Sequence, residues 1–160
     1  MKKSRKIAGF LLGTLALAQL AAVPVSAAAA ETEGQWEEFA PEGTTQVEDT
    51  YRPIMRTDIM YSGYIKLEND SGKAGVYGET LAIRDADEVG LYLYLDRYTG
   101  NGYMSYTYWK TVEYNTSMNI KSYTVSVLPG YYYRLHGYHY VDDATAFDNG
   151  ETITKGIKIP

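Results

Sequence analysis

The residues best placed to do chemistry in this sequence are aromatic. Tyr92, Tyr94 and Tyr98 recur with a period of two, Trp109 follows on the next run, and Tyr132, Arg134 and His136 share one side of a third. In an extended chain that spacing points side chains to a common face. Flat rings cover the apolar side of a pyranose, while neighbouring Asp, Ser and Thr take its polar edges. The same residue types anchor protein interfaces, and on a plain sheet they serve as cross-strand pairs that stiffen it. Tyr92, Tyr94, Tyr98, Trp109, Tyr132, Arg134 and His136 are therefore the candidate ligand-binding residues. Their expected partner is a glycan or a protein at the cell surface. Arg134 is the leading member, able to stack on a ring or to fork onto a carboxylate.

Other chemistries find less support. The chain has no cysteine, which removes thiol catalysis and thiolate metal sites. His136 and His139 are its only histidines. Three apart on a straight strand, they face opposite ways and cannot share a metal, so each is expected to be a satisfied, partly buried ring. Asp142, Asp143, Asp148, Asn149 and Glu151 bring oxygen ligands together, but their order is not that of a helix–loop–helix calcium site, and a solvated acidic loop is expected. Phosphate-cradling glycine loops, nucleophile elbows and zinc-protease helices are missing, so no catalytic residue and no cofactor is assigned. The alternative to a binding module is a small carboxylate-dependent, glycan-active hydrolase, which needs two carboxyl groups about 5 to 10 Å apart.

Strands must carry these side chains. Runs rich in aromatic and β-branched residues are expected as strands near 59–67, 74–83, 89–98, 103–114, 120–128, 131–141 and 152–159. Turn-type clusters separate them, among them Asp85-Ala86-Asp87, Gly100-Asn101-Gly102, Asn115-Thr116-Ser117 and Asp148-Asn149-Gly150. The expected fold is all-β, an antiparallel β-sandwich of about seven strands, with a small barrel as the alternative. The central hairpin is the best specified piece. A two-residue turn at Asn101-Gly102 would set Tyr94 opposite Trp109, Leu95 opposite Tyr108 and Leu91 opposite Val112. One face would then hold Leu91, Leu93, Leu95, Tyr106, Tyr108 and Val112. The wet face would hold Tyr92, Tyr94, Asp96, Tyr98, Ser105, Thr107 and Trp109. A slip of the turn to Gly100-Asn101 would leave the faces where they are, whereas a three-residue loop with a bulge would not.

The chain divides into three parts. Residues 1–27 read as a signal peptide: Lys2, Lys3, Arg5 and Lys6 precede an apolar run that Pro24 closes, followed by small residues. Residues 28–50 read as an acidic disordered spacer in which only Trp36 and Phe39 could clip onto the domain, and residues 51–160 as one β-sandwich domain. Secretion to the extracellular space is expected, with no membrane association after cleavage. Losing the leader removes four bases and no acids, taking the formal net charge from −5 to −9. A surface of that sign disfavours nucleic acid and anionic lipid.

One further likeness rests on short motifs. Tyr131-Tyr132-Tyr133-Arg134-Leu135 with Gly137 and His139 is joined by Arg52, Arg56 and Asp58, by Gly78 and Thr80, and by Glu151, Thr154, Gly156, Ile157 and Ile159. This pattern resembles a domain family of unknown function found in small secreted proteins of Gram-positive gut bacteria. The resemblance covers residues 52–160 and implies an exported, β-rich module with no assigned activity and no catalytic residues to carry over.

Overall fold

The computed structural model describes residues 38–54 and 59–160. The signal peptide, Trp36, Arg56 and Asp58 lie outside the described residues. Seven strands form one antiparallel sheet: β1 (Gln46–Tyr51), β2 (Met60–Asp70), β3 (Lys73–Tyr98), β4 (Tyr103–Ser126), β5 (Tyr131–Asp143), β6 (Ala146–Ile153) and β7 (Ile157–Ile159). The all-β expectation holds. The sheet rolls until β1 and β6 nearly meet, so a sandwich and a small barrel both describe it. Asp49 on β1 spans the remaining gap by accepting a hydrogen bond from the Ile153 backbone N–H at 2.8 Å.

Two pairs of expected strands are each a single long strand. Asp85–Asp87 and Asn115–Ser117 do not reverse the chain; they bend it. The register runs Leu81↔Met118 and then Ala86↔Thr116, so β3 spends four residues where β4 spends one. Asn115 sits at φ 53, the left-handed conformation that Asn tolerates better than most residues. A bulge of this kind sharpens twist and lets one ribbon pass from the first layer to the second. Arg84 in the bulge holds Asp143 of β5 at 2.7 Å. Hydrogen bonds from the Thr145 hydroxyl and backbone N–H, with Arg84 helping, hold the Asp143 carboxyl down to about 2. That carboxylate closes the β5–β6 turn.

The tip of the β3–β4 hairpin corrects the expected face assignment. Tyr98 pairs with Tyr103 across a four-residue loop, with Gly100 and Gly102 at positive φ. Leu95 pairs with Thr107 and Asp96 with Ser105, leaving Tyr106 as an extra residue in β4. Because side chains alternate, that one residue exchanges the two faces of β4 from Thr107 onward. Tyr94 therefore faces Tyr108, and Trp109 pairs with Leu93 on the core side. Tyr108, expected inside, is 60% exposed.

Residues 38–50 were expected to be solvated spacer, but they belong to the fold. Gln46–Tyr51 pairs along β2, and Phe39 bridges Gly156 in parallel. The acids that made this stretch look solvated are used locally: Glu48 accepts the Tyr64 hydroxyl at 2.7 Å, and Asp49 closes the β1–β6 gap.

The main core joins Ile65, Leu67 and Val76 of one layer to Leu91, Leu93, Leu95, Tyr133, Leu135, Ile157 and Ile159 of the other. A smaller cluster holds Ile59, Met60, Ala86, Val89 and Val141. Fully buried His139 belongs to neither. Its Nδ1 lies 2.8 Å from Thr80 Oγ1 and its Nε2 2.8 Å from Thr152 Oγ1. Thr80 donates its own proton to the Gly90 carbonyl at 3.0 Å, so it accepts from Nδ1–H, and Thr152 donates to Nε2. The neutral ring is fully satisfied, and burial pushes its pKa down to about 4. Asn119 completes this polar layer, donating to the Val89 and Thr111 carbonyls at 2.9 and 3.2 Å.

Candidate functional site

The aromatic residues expected on separate ribbons meet because β5 pairs directly with β3. Tyr92 lies opposite Tyr138, Tyr94 opposite His136 and Asp96 opposite Arg134. On the far side of β5, Glu151 of β6 lies opposite Tyr138 and Ile153 opposite His136. On the far side of β3, Lys110 lies opposite Tyr92 and Tyr108 opposite Tyr94. The result is an outward grid of rings and charges four strands wide.

Packing within the grid is by ring contact. Tyr94 is tilted against His136 at 5.6 Å and against Tyr108 at 6.1 Å, and Tyr92 contacts Tyr138 at 5.8 Å. Tyr140 extends the row, contacting Tyr92 at 5.8 Å and Phe147 at 6.0 Å, and donating to Glu88 at 3.1 Å. Its ring covers Gly90, where a Cβ would come within 1.8 Å of the ring edge, so only glycine admits it. Partial burial and the neighbouring Tyr92 raise the Tyr140 pKa, so the phenol stays protonated.

At the centre lies a shallow depression of about 280 Å³ lined by Tyr94, Asp96, His136, Tyr138 and Glu151. Asp96 accepts from Arg134 Nε at 3.4 Å, and the Arg134 guanidinium lies 4.0 Å from the Tyr103 ring centroid. Arg134 thus does both things expected of it, stacking and pairing, but it does them within the fold. His136 Nε2 is 3.8 Å from Glu151 Oε2. Among the described residues no group of three His, Asp or Glu side chains could hold a metal ion.

The seven sequence-predicted residues separate into three groups. Tyr92, Tyr94 and His136 are half-buried members of the central grid. Tyr98 and Tyr132 share the face but lie at its end, where Phe39 packs on them at 5.0 and 4.6 Å, with Arg134 nearby over Tyr103. Trp109 is not on this face at all. It stacks on Tyr123 at 4.6 Å, nearly parallel at 9°, and packs against the main core. Trp109→Ala is therefore expected to lower stability by about 2 kcal/mol while leaving any ligand affinity unchanged. Denaturant midpoints and binding isotherms on the same preparation check this, and a specific loss of binding in the folded variant would overturn the placement.

Sequence reasoning placed Asp96 and Tyr138 on the aromatic faces without naming them as binding residues, and it missed Tyr108, Lys110 and Glu151 as members of the site. The period of two along β5 already set Tyr138 on one side with His136 and Arg134, and the structure keeps it there. Glu151 was expected in a solvated acidic loop with Asp142, Asp143, Asp148 and Asn149, but these residues lie in β5 and β6, and Glu151 comes to the site through the β5–β6 pairing.

No curated protein and no solved structure matches the chain. Residues 38–156, most of its length, match a family of unknown function (DUF6147), and the chain belongs to that family.

Proposed function

We propose that the chain is an exported binding module that captures an extracellular ligand, a glycan or a protein at the cell surface, on the outer face of β3 and β5. The observation that carries this reading is the depression in which Tyr94 and Tyr138 present half-buried rings beside Asp96, His136 and Glu151. Alternating ring faces and acceptors suit a sugar better than an apolar protein anchor. Export rests on the basic, apolar and small-residue order of residues 1–27. The test is retention on soluble glycan arrays and isolated Gram-positive cell walls. Tyr94→Ala, a substitution at a half-exposed position, is expected to weaken retention about tenfold, the equivalent of about 1.4 kcal/mol. Unchanged retention by folded Tyr94→Ala and Tyr138→Ala would end this reading.

A hydrolase is the second reading, because Asp96 and Glu151 line the same depression. The register argues against it. Asp96 lies opposite Arg134 and Glu151 opposite Tyr138, four residues apart along β5 and on strands either side of it. Their backbones are then about 13 Å apart along the strand and about 10 Å across it. Carboxylate pairs that cleave glycosides sit closer together, and Asp96 is already committed to Arg134.

A further inference from the structure

We propose that the glycan taken by this depression carries a protonated amine, making the preferred ligand an amino sugar with its nitrogen unacylated. The inference rests on the binding reading above and specifies the ligand of the same site.

Three cations in this part of the chain are seated on tyrosine faces. Lys110 Nζ lies 5.2, 6.0 and 5.8 Å from the ring centroids of Tyr92, Tyr94 and Tyr108. Arg134 lies over Tyr103 at 4.0 Å, and Arg97 lies over Tyr131 at 4.9 Å and Tyr106 at 5.7 Å. The negative faces of such rings attract cations, and the sheet holds them at the right height to do so. Tyr138, in the wall of the depression, carries no protein cation among the described residues.

The charges around the depression are unequally compensated. Asp96 is paired with Arg134, and its side chain is only 13% exposed. Glu151 is 69% exposed, and its one ionic neighbour among the described residues is the His136 ring at 3.8 Å. At that distance and exposure the Glu151 carboxylate keeps lone pairs open to a ligand. The depression thus presents one carboxylate directly across from Tyr138, next to a second ring, Tyr94. A single ammonium group on a pyranose satisfies both features: the apolar sugar face covers a ring while the nitrogen reaches Glu151. An N-acetylated sugar of the same shape keeps the first contact and an N–H donor, but loses the charge that makes the second contact strong.

That contrast is the experiment. The full mature chain is titrated by calorimetry near neutral pH with a β-1,4-linked glucosamine tetramer and, separately, with its N-acetylated counterpart. The amine form is expected to bind at least tenfold tighter. Glu151→Gln should bring its affinity to within about threefold of the acetylated form, with little change for the latter, and Tyr94→Ala should weaken both. Equal or tighter binding of the acetylated tetramer, lost on Tyr94→Ala, overturns the amine and leaves the binding face standing. Failure of both sugars to bind overturns the amine, and the array and cell-wall retention of native chain against Tyr94→Ala then decides the binding face separately. Amine binding that ignores both substitutions is general attraction to an acidic chain and also overturns the proposal. Unchanged thermal midpoints confirm that the variants are folded.

Discussion

Lowering the pH from 7.5 to 5 is expected to cost this domain about 2 kcal/mol of stability through one residue, His139. The unfolded chain protonates the ring at its ordinary value of 6.5, whereas burial holds the folded value down to about 4. A base whose folded pKa is depressed contributes stability that is complete above pH 6.5 and lost as pH falls toward 4. The loss approaches about 3 kcal/mol over the whole window. The ring's surroundings explain why it cannot accept the charge. Thr80 and Thr152 occupy both nitrogens, Gly63 backs the ring, and among nearby titratable groups His136 opposes a second positive charge while Asp49 partly offsets it. Asp143, held down to about 2, loses its contribution only at lower pH, below that interval. Urea midpoints across that interval should slope for the native chain. They should flatten in His139→Gln, whose amide can meet both threonines without titrating. Equal slopes in the two proteins would show that another group carries the acid sensitivity.

Gly63→Ala is expected to destabilise the domain by at least about 3 kcal/mol, although it adds a single methyl to a strand. A Cβ at position 63 would lie 2.4 Å from His139 Cγ and 2.5 Å from Cδ2. A flexible side chain would yield, but this ring is pinned by hydrogen bonds on both sides. Moving it breaks two buried hydrogen bonds in addition to the overpacking. Gly137 closes the other side, where a Cβ would lie 2.8 Å from His139 Nε2. Thermal unfolding should show a fall in Tm on the order of 10 °C. The double variant Gly63→Ala/His139→Ala should be less damaged than the two single losses combined, because the methyl then enters space the ring has left. A single variant that melts within a degree or two of the native chain would mean the ring is not held as described.

Both predictions depend on residues whose importance was only partly legible in the chain. His139 was read as a satisfied ring on the side opposite His136, and that orientation holds. Its depth did not show, because Thr80, Thr152 and Gly63 come from other strands, 59, 13 and 76 positions away in sequence. The binding face has the same character. Tyr92 and Tyr94 face outward because Leu91, Leu93 and Leu95 must face inward, an alternation that a single strand determines for itself. Trp109 was misplaced because its face depends on one bulged residue, Tyr106, and loop chemistry alone does not reveal such an insertion.

By itself the sequence determined the strand class, the outward tyrosines of β3 and the polar-aromatic side of β5. Hydrophobic alternation is a local property, repeated every two residues and insensitive to what lies beyond the strand. Tertiary structure alone decided that β5 lies beside β3, that Glu151 lies opposite Tyr138, that Trp109 turns inward and that residues 38–50 join the fold. Pairing partners and bulges are chosen by which arrangement buries both apolar layers at once, and that choice depends on the whole sheet.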